Sequence, residues 1–247
     1  MQRTRSLTVF VPALNEELHL EATIDVVIRA LRATCDDYEV VIVNDGSIDS
    51  TNVIADRMAA ENPAIKVIHH QVRKGLGSGY KAAVAKAEKA FFVFIPGDNS
   101  WPYESVLQLF GCISKAEVVT SYPTNSKDER SGSRQMISTG YVWLINALHG
   151  LKMHYYNGLT IYPTEFLRTH PVKGTGFGFA AELLLTAIYT NVSVIEIGLP
   201  IQERAGGPSK AVTARNIASV VKSLLRGFWH LKIRGVHRRS STTNSMN

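Results

Sequence analysis

Short, largely apolar runs recur along the first half of the chain, and each is followed by a turn and then by a segment with helical spacing. Residues 7–12, 38–43, 65–70 and 90–95 are strand-sized and rich in Val, Ile and Phe. Between them, residues 16–31 place Leu20, Ile24, Val27, Ile28 and Leu31 on one helical face. Residues 49–60 and the Ala-rich 76–89 read as further helices, and 103–113 and 117–121 continue the alternation as helix and strand. A strand with apolar side chains on both faces must be covered on both. The pattern therefore predicts an α/β fold, with a mostly parallel central sheet and helices on both faces. With 247 residues and 45% hydrophobic content, the chain is large enough for one such domain around a sizeable core.

After Tyr122 the rhythm changes. Residues 123–134 are polar and predict a mobile loop, 135–148 a helix ending at Gly150, and 180–189 another helix with Asn191 as its C-cap. Shorter strands are expected at 159–162, at 192–197 and around Pro200. Residues 213–231 read as a last helix, with Ile217, Val220, Val221, Leu224, Phe228 and Leu231 on one face and Arg215, Lys222 and Arg226 on the other. The net charge of +6 is concentrated there. Eight Lys and Arg and no acidic residue lie from Lys210 onward, whereas 19 Lys and Arg precede it against all 21 Asp and Glu. A basic amphipathic helix with Trp229 near its end suits an anionic membrane surface, and its alternative is an apolar face packed on the domain.

No apolar stretch approaches the roughly 20 residues of a membrane span. No apolar region follows Arg3 and Arg5, so no signal peptide is expected. Cys35 and Cys112 lack metal-ligand spacing and read as reduced thiols of a cytoplasmic protein. The histidines, including His69, His70, His149 and His154, show no metal-binding spacing.

Ligands of open α/β sheets bind at the C-terminal ends of strands. Three such ends carry polar turn formers: Asn15-Glu16-Glu17 after the first strand, Asn44-Asp45-Gly46-Ser47 after the second, and Pro96-Gly97-Asp98-Asn99 after the fourth. Asn15, Asp45 and Ser50 are good helix caps, and Asp98 could cap the helix begun near Pro102. Three polar ends at one sheet edge point instead to a site. The segment from Gly75 to Gly79 lacks both the G-x-G-x-x-G spacing of dinucleotide binding and the lysine of a P-loop.

In combination these segments resemble family-two glycosyltransferases of the GT-A fold, closest to the dolichol-phosphate mannosyltransferase and polyprenyl-phosphate glycosyltransferase group. Pro12-Ala13-Leu14-Asn15-Glu16-Glu17 resembles that group's P-x-x-N-E-E, and Asn44-Asp45-Gly46-Ser47-Ile48-Asp49 its D-D-G-S-x-D. Arg73-Lys74-Gly75-Leu76-Gly77-Ser78-Gly79-Tyr80 resembles its R-K-G-L-G-x-A-Y. Gly132-Ser133-Arg134, Phe179-Ala180-Ala181-Glu182, and Arg204 through Gly207-Pro208-Ser209-Lys210 follow in the group's order. The resemblance covers about residues 7–212. It implies one GT-A domain over residues 1–231, including the C-terminal helix at about 213–231, with a basic, disordered tail at 232–247. The chain departs from the family's D-x-D, where Pro96-Gly97-Asp98 keeps only the second carboxylate.

The resemblance implies an inverting transfer of a hexose from a nucleotide-sugar to a polyprenyl phosphate, dolichyl or undecaprenyl. It assigns donor binding to Pro12, Ala13, Asn15, Glu16, Asp45, Gly46, Ser47, Lys74 and Gly75. It assigns catalytic roles to Asp98, Arg134, Arg204 and Lys210, with Asp98 as ligand of a Mg²⁺ or Mn²⁺ ion. The enzyme would sit peripherally at the cytoplasmic face of a membrane, held by the basic helix, with no nucleic-acid partner. Two alternatives stand beside it. One is a glycosyltransferase with a saccharide hydroxyl acceptor, which needs a carboxylate base such as Glu182. The other is a non-catalytic nucleotide-sugar-binding or membrane-adaptor protein.

Overall fold

The computed structural model describes residues 5–125, 132–172 and 178–202, except for the side chains of 132–134. Seven strands form one sheet: β1 (Ser6–Ala13), β2 (Asp37–Asn44), β3 (Ile65–His69), β4 (Phe91–Phe94), β5 (Val118–Pro123), β6 (Thr160–Pro163) and β7 (Val194–Leu199). Their order is β3-β2-β1-β4-β6-β5-β7. All neighbours are parallel except at β6, which runs against both β4 and β5. Six strands therefore end at one edge, and β6 begins there.

The central strands are buried on both faces, as their composition requires. Leu7, Val9 and Val11 of β1 belong to one core. It is covered by α1 (Leu20–Thr34), which buries Leu20, Ile24, Val27, Ile28 and Leu31. Its other main cover is α4 (Tyr103–Phe110), which contributes Val106, Leu109 and Phe110. The alternate residue Phe10 joins a second core on the opposite face. There α3 (Leu76–Lys86) packs with α7 (Phe179–Tyr189), and Tyr80 meets Phe179 at 4.6 Å between ring centroids. The remaining helices are α2 (Thr51–Glu61), α5 (Gly132–His149) and α6 (Thr164–Thr169).

Several elements differ from their sequence-based bounds. Helix α1 starts at Leu20 rather than 16, because residues 15–17 are drawn into contacts with the loop after β2. Helix α5 already contains residues 132–134, which the polar composition assigned to a loop. Helix α6 has six residues, too few for a periodic signal. The Pro200 region is no strand: Pro200 O accepts from Ser105 Oγ of α4, and Ile201 and Gln202 bond to the loop residues Asn125, Asn99 and Ser100. The C-cap of α7 is Thr190 rather than Asn191, which follows it at φ 60° as the left-handed residue that turns the chain out of the helix. The expected last helix at 213–231 and the tail at 232–247 lie outside the described residues.

Candidate active site

The switch in strand order falls between β1 and β4, where a crevice opens at the strands' C-terminal ends. The loops after β1 and β2 are joined across its floor by side-chain-to-backbone hydrogen bonds. Asn15, held at φ 54°, accepts from Ile48 N at 2.9 Å and donates its own N–H to Ser47 Oγ at 2.9 Å. Glu16 N donates to Thr51 Oγ1, Glu17 N to Asp49 Oδ2, and Ser50 N to Glu17 Oε2. None of Asn15, Asp45, Ser50 and Asp98 caps a helix with its side chain. The capping alternative is therefore set aside by the geometry.

Asn44 closes a turn by accepting from Ser47 N at 3.0 Å, so its Nδ2 donates to His69 Nδ1. That leaves the His69 Nε2 hydrogen for Asp56 Oδ1 at 2.9 Å. Asp45 is buried and turned towards the loop after β3. Its Oδ1 accepts from His70 Nδ1 at 2.7 Å and Lys74 N at 2.9 Å, and its Oδ2 from Gly75 N at 2.8 Å. One carboxylate thus fastens residues 70–75 over the crevice. Gly46, at φ 76°, lets that loop approach: a Cβ there would stand 2.8 Å from Arg73 N. Asp45→Ala is expected to destabilise the fold by about 1–3 kcal/mol, since it leaves buried donors unpaired. Urea titration with proteolysis of the 70–75 loop would show it, and an unmoved midpoint with an equally protected loop would refute the fastening role.

The end of β4 completes the crevice. Gly97 lies against β1 so closely that a Cβ would sit 2.5 Å from Pro12 O. Asp98 follows, half-buried, with Oδ1 accepting from Ser100 N at 3.3 Å and Oδ2 making no hydrogen bond among the described residues. No group of three His, Cys, Asp or Glu suited to a metal occurs among the described residues. A single carboxylate nevertheless fits Mg²⁺ or Mn²⁺ bound mainly through donor phosphates and water, since Mg²⁺ sites often use one or two protein carboxylates. Beside it, Gln202 donates from Nε2 to Asn99 O at 2.6 Å and from N to Ser100 O at 3.1 Å. Asn125 pairs with both backbone groups of Ile201 at 2.8 Å. The chain leading to Arg204 is therefore anchored next to Asp98.

A second concavity, an open groove of about 420 Å³, lies between the end of β5, α5 and the loop before β6. Tyr122, Ser138, Trp143, Asn146, His154 and Tyr155 are among its walls. The register relates it to the crevice. Val93 of β4 is level with Ile161 of β6, which is level with Val119 of β5. Tyr122 and Pro96 each lie three residues further on, so they stand level at the same edge, two strand spacings or about 10 Å apart. The 153–158 loop is pinned from three sides. Asn146 accepts from Met153 N and donates to Met153 O, while Tyr156 donates to Asn146 Oδ1 at 2.7 Å. Burial first, and the charge of Glu196 second, push the Tyr156 phenol far above its usual range, so it remains a donor. Gly158 abuts Ser121, and Glu196 of β7 accepts from His154 N and Nδ1.

Of the residues singled out from the sequence, Pro12, Ala13, Asn15, Glu16, Asp45, Gly46, Ser47, Lys74, Gly75 and Asp98 surround the crevice. Ala13 O receives Asp45 N at 2.9 Å, and Lys74 extends an exposed side chain. Arg134 falls on α5 with its side chain outside the description, and Arg204 and Lys210 are outside the described residues. Glu182 is half-buried in the first turn of α7. Sequence reasoning missed the paired role of His70, the groove residues Tyr122 and His154, and Glu196, which accepts from His154. The polar aromatic run Tyr155-Tyr156 was their sole signal: Tyr156 is core, while Tyr155 lines the groove.

This sheet order defines an open, mostly parallel α/β fold. The model of the family described as Glycosyl transferase family 2 matches residues 8–176, and the chain belongs to that family. The undecaprenyl-phosphate mannosyltransferase of Micrococcus luteus is 26% identical, over 91% of this chain and 96% of its own length. Glycosyltransferase AglD of Haloferax volcanii is 25% identical over 92% of this chain, which spans 38% of that protein. The dolichol-phosphate mannosyltransferase of Pyrococcus furiosus is 26% identical over 83% of this chain and 58% of its own. Glucosyl-3-phosphoglycerate synthase from Mycobacterium tuberculosis, solved with Mn²⁺, UDP-glucose and phosphoglyceric acid, shares the fold at a TM-score of 0.69. It is 20% identical, over 91% of this chain and 80% of that one.

Proposed function

We propose that this glycosyltransferase moves a hexose from a nucleotide-sugar to a polyprenyl phosphate, with inversion at the anomeric carbon. The observation that carries the reading is the open groove at Tyr122, on the same sheet edge as the β4 end that leads to Asp98 and two strands away from it. That spacing gives a donor and an acceptor adjoining berths. The names of the Micrococcus and Pyrococcus relatives support the acceptor class, and the ligands of the mycobacterial neighbour support a nucleotide-sugar with a divalent ion.

A phosphate monoester is largely a dianion at neutral pH, its second pKa being about 6. Its oxygen forms the new bond to the anomeric carbon while the bond to the donor diphosphate breaks, and the electron pair leaves with the nucleoside diphosphate. No proton has to be removed, so positioning and charge stabilisation are the demands on the protein. Asp98 would hold Mg²⁺ or Mn²⁺, which neutralises charge on the leaving diphosphate. Arg204 and Lys210 add positive charge, and Arg134 suits the acceptor phosphate through its forked guanidinium. The loops fastened by Asn15, Asp45 and Gly46 shape the donor side.

No described helix is long and apolar enough to cross a membrane. The basic segment from Lys210 onward fits an enzyme held peripherally at the cytoplasmic face, near an anionic leaflet. The test is incubation of the purified chain with a panel of nucleotide-sugars and farnesyl phosphate, followed by mass spectrometry. Hexosyl farnesyl phosphate and free nucleoside diphosphate are expected. Transfer solely to a saccharide hydroxyl, with Glu182 as base, would overturn the acceptor. Donor binding without turnover to any acceptor would overturn the enzyme.

A further inference from the structure

We infer that His154, oriented by Glu196, is the groove's contact for the phosphate of the acceptor, with its Nε2 pointing the proton donor at a phosphate oxygen. The inference rests on the acceptor reading above and names a residue which the family motifs do not include.

Three observations carry it. First, the imidazole is held from two directions. Its Nδ1 donates to Glu196 Oε2 at 3.0 Å, and the same carboxylate receives the His154 backbone N–H at 2.9 Å. Its ring lies over Tyr122, 4.4 Å between centroids and 17° from parallel. Second, the imidazole is presented rather than buried: the His154 side chain is 60% exposed, while Glu196, which orients it, is 16% exposed. Third, Nε2 makes no hydrogen bond among the described residues, and His154 lies in the groove wall.

The chemistry then selects the ligand. The other described walls are hydroxyl, amide, aromatic and aliphatic, so His154 is the one described lining residue able to carry positive charge. Among the described residues, the titratable groups around it are Glu196 of β7, Tyr122 of β5 and its chain neighbour Tyr155. Glu196 is engaged by two donors of His154. An imidazolium with Nδ1–H on a carboxylate and Nε2–H free is a directed donor for an anionic oxygen. Such an arrangement suits a phosphate monoester, and a neutral prenyl alcohol offers it nothing comparable.

Imidazole ¹⁵N spectra of the full chain provide the direct test, with farnesyl phosphate, inorganic phosphate and farnesol added separately. The His154 resonances are expected to move to the doubly protonated positions with farnesyl phosphate. Inorganic phosphate should produce the same end point at higher concentration, and farnesol should leave them in place. In turnover, His154→Gln should raise KM for farnesyl phosphate at least tenfold, with donor KM and the melting midpoint unchanged. Glu196→Gln should raise it less. Resonances that ignore farnesyl phosphate, or respond equally to farnesol, would overturn the inference. So would an unchanged acceptor KM in His154→Gln. If the wild-type chain transfers no sugar to farnesyl phosphate, the acceptor reading itself falls. If it does transfer and the variant matches it, this inference alone falls.

Discussion

Replacing Asp98 by Asn should lower kcat by about 10²–10³-fold, the range seen when one preorganised group stabilising transition-state charge is removed. The fold should survive the change. Asp98 is half-buried and contributes one long hydrogen bond, to Ser100 N at 3.3 Å. The neighbouring backbone is held independently by Asn99 N on Thr23 Oγ1 and by Gln202. A melting midpoint within a degree or two of wild type, combined with near-total loss of turnover, is therefore the expected pair of results. Excess chelator should produce the same loss in the wild-type chain, and Mg²⁺ or Mn²⁺ should restore it. Full turnover in chelator would remove the metal from the scheme and leave the leaving group to the basic residues.

Among the described glycines, Gly158→Ala should be the most damaging methyl addition. The new Cβ would overlap the Ser121 carbonyl, with Ser121 C at 2.7 Å and Ser121 Oγ at 3.0 Å. Both sides of the contact are backbone, and Ser121 N is already bound to Leu159 O at 2.9 Å. Neither can retreat without parting β5 from β6. A loss of about 3 kcal/mol, near the upper end for overpacking, is expected from denaturant titration. Gly140→Ala makes the contrast. Nothing lies within 4 Å of a Cβ there, and the residue is inside a helix. That variant should gain up to about 1 kcal/mol from helix propensity. Equal effects of the two substitutions would contradict the close approach at Gly158.

These two sites mark what the sequence makes legible. The strands of the donor half announce themselves because burial on both faces demands unbroken apolar runs, as in Val40–Val41–Ile42–Val43. The crevice is also legible, because a strand ending in Asn15, Asp45 or Asp98 places polar groups where the sheet stops. The partner that each polar group takes is not legible. Asp45 meets Lys74 N and Gly75 N, and Glu196 meets His154 42 residues away, and no local period encodes such pairings. Gly158 reads as an ordinary turn residue until Ser121 is seen against it. The adjoining tyrosines separate only in the fold, one into the core and one towards the groove.

Strand β6, the one reversed member of the sheet, has a consequence for how this protein can diversify. A strand that enters at the ligand edge brings its preceding loop there, so residues 153–158 reach the groove without belonging to any β-to-α connection. The crevice is built from loops within residues 12–101, with an anchor from 201–202, and the described groove walls come from residues 122–123, 135–146 and 154–155, with Glu196 holding His154. The two are joined through three paired positions between β4 and β6. Under the proposed function, changes in the 153–158 loop would alter which acceptor is taken while the loops of the crevice keep their hydrogen bonds. On that reading, inheritance of donor and acceptor preference is separable, as two traits carried on one sheet.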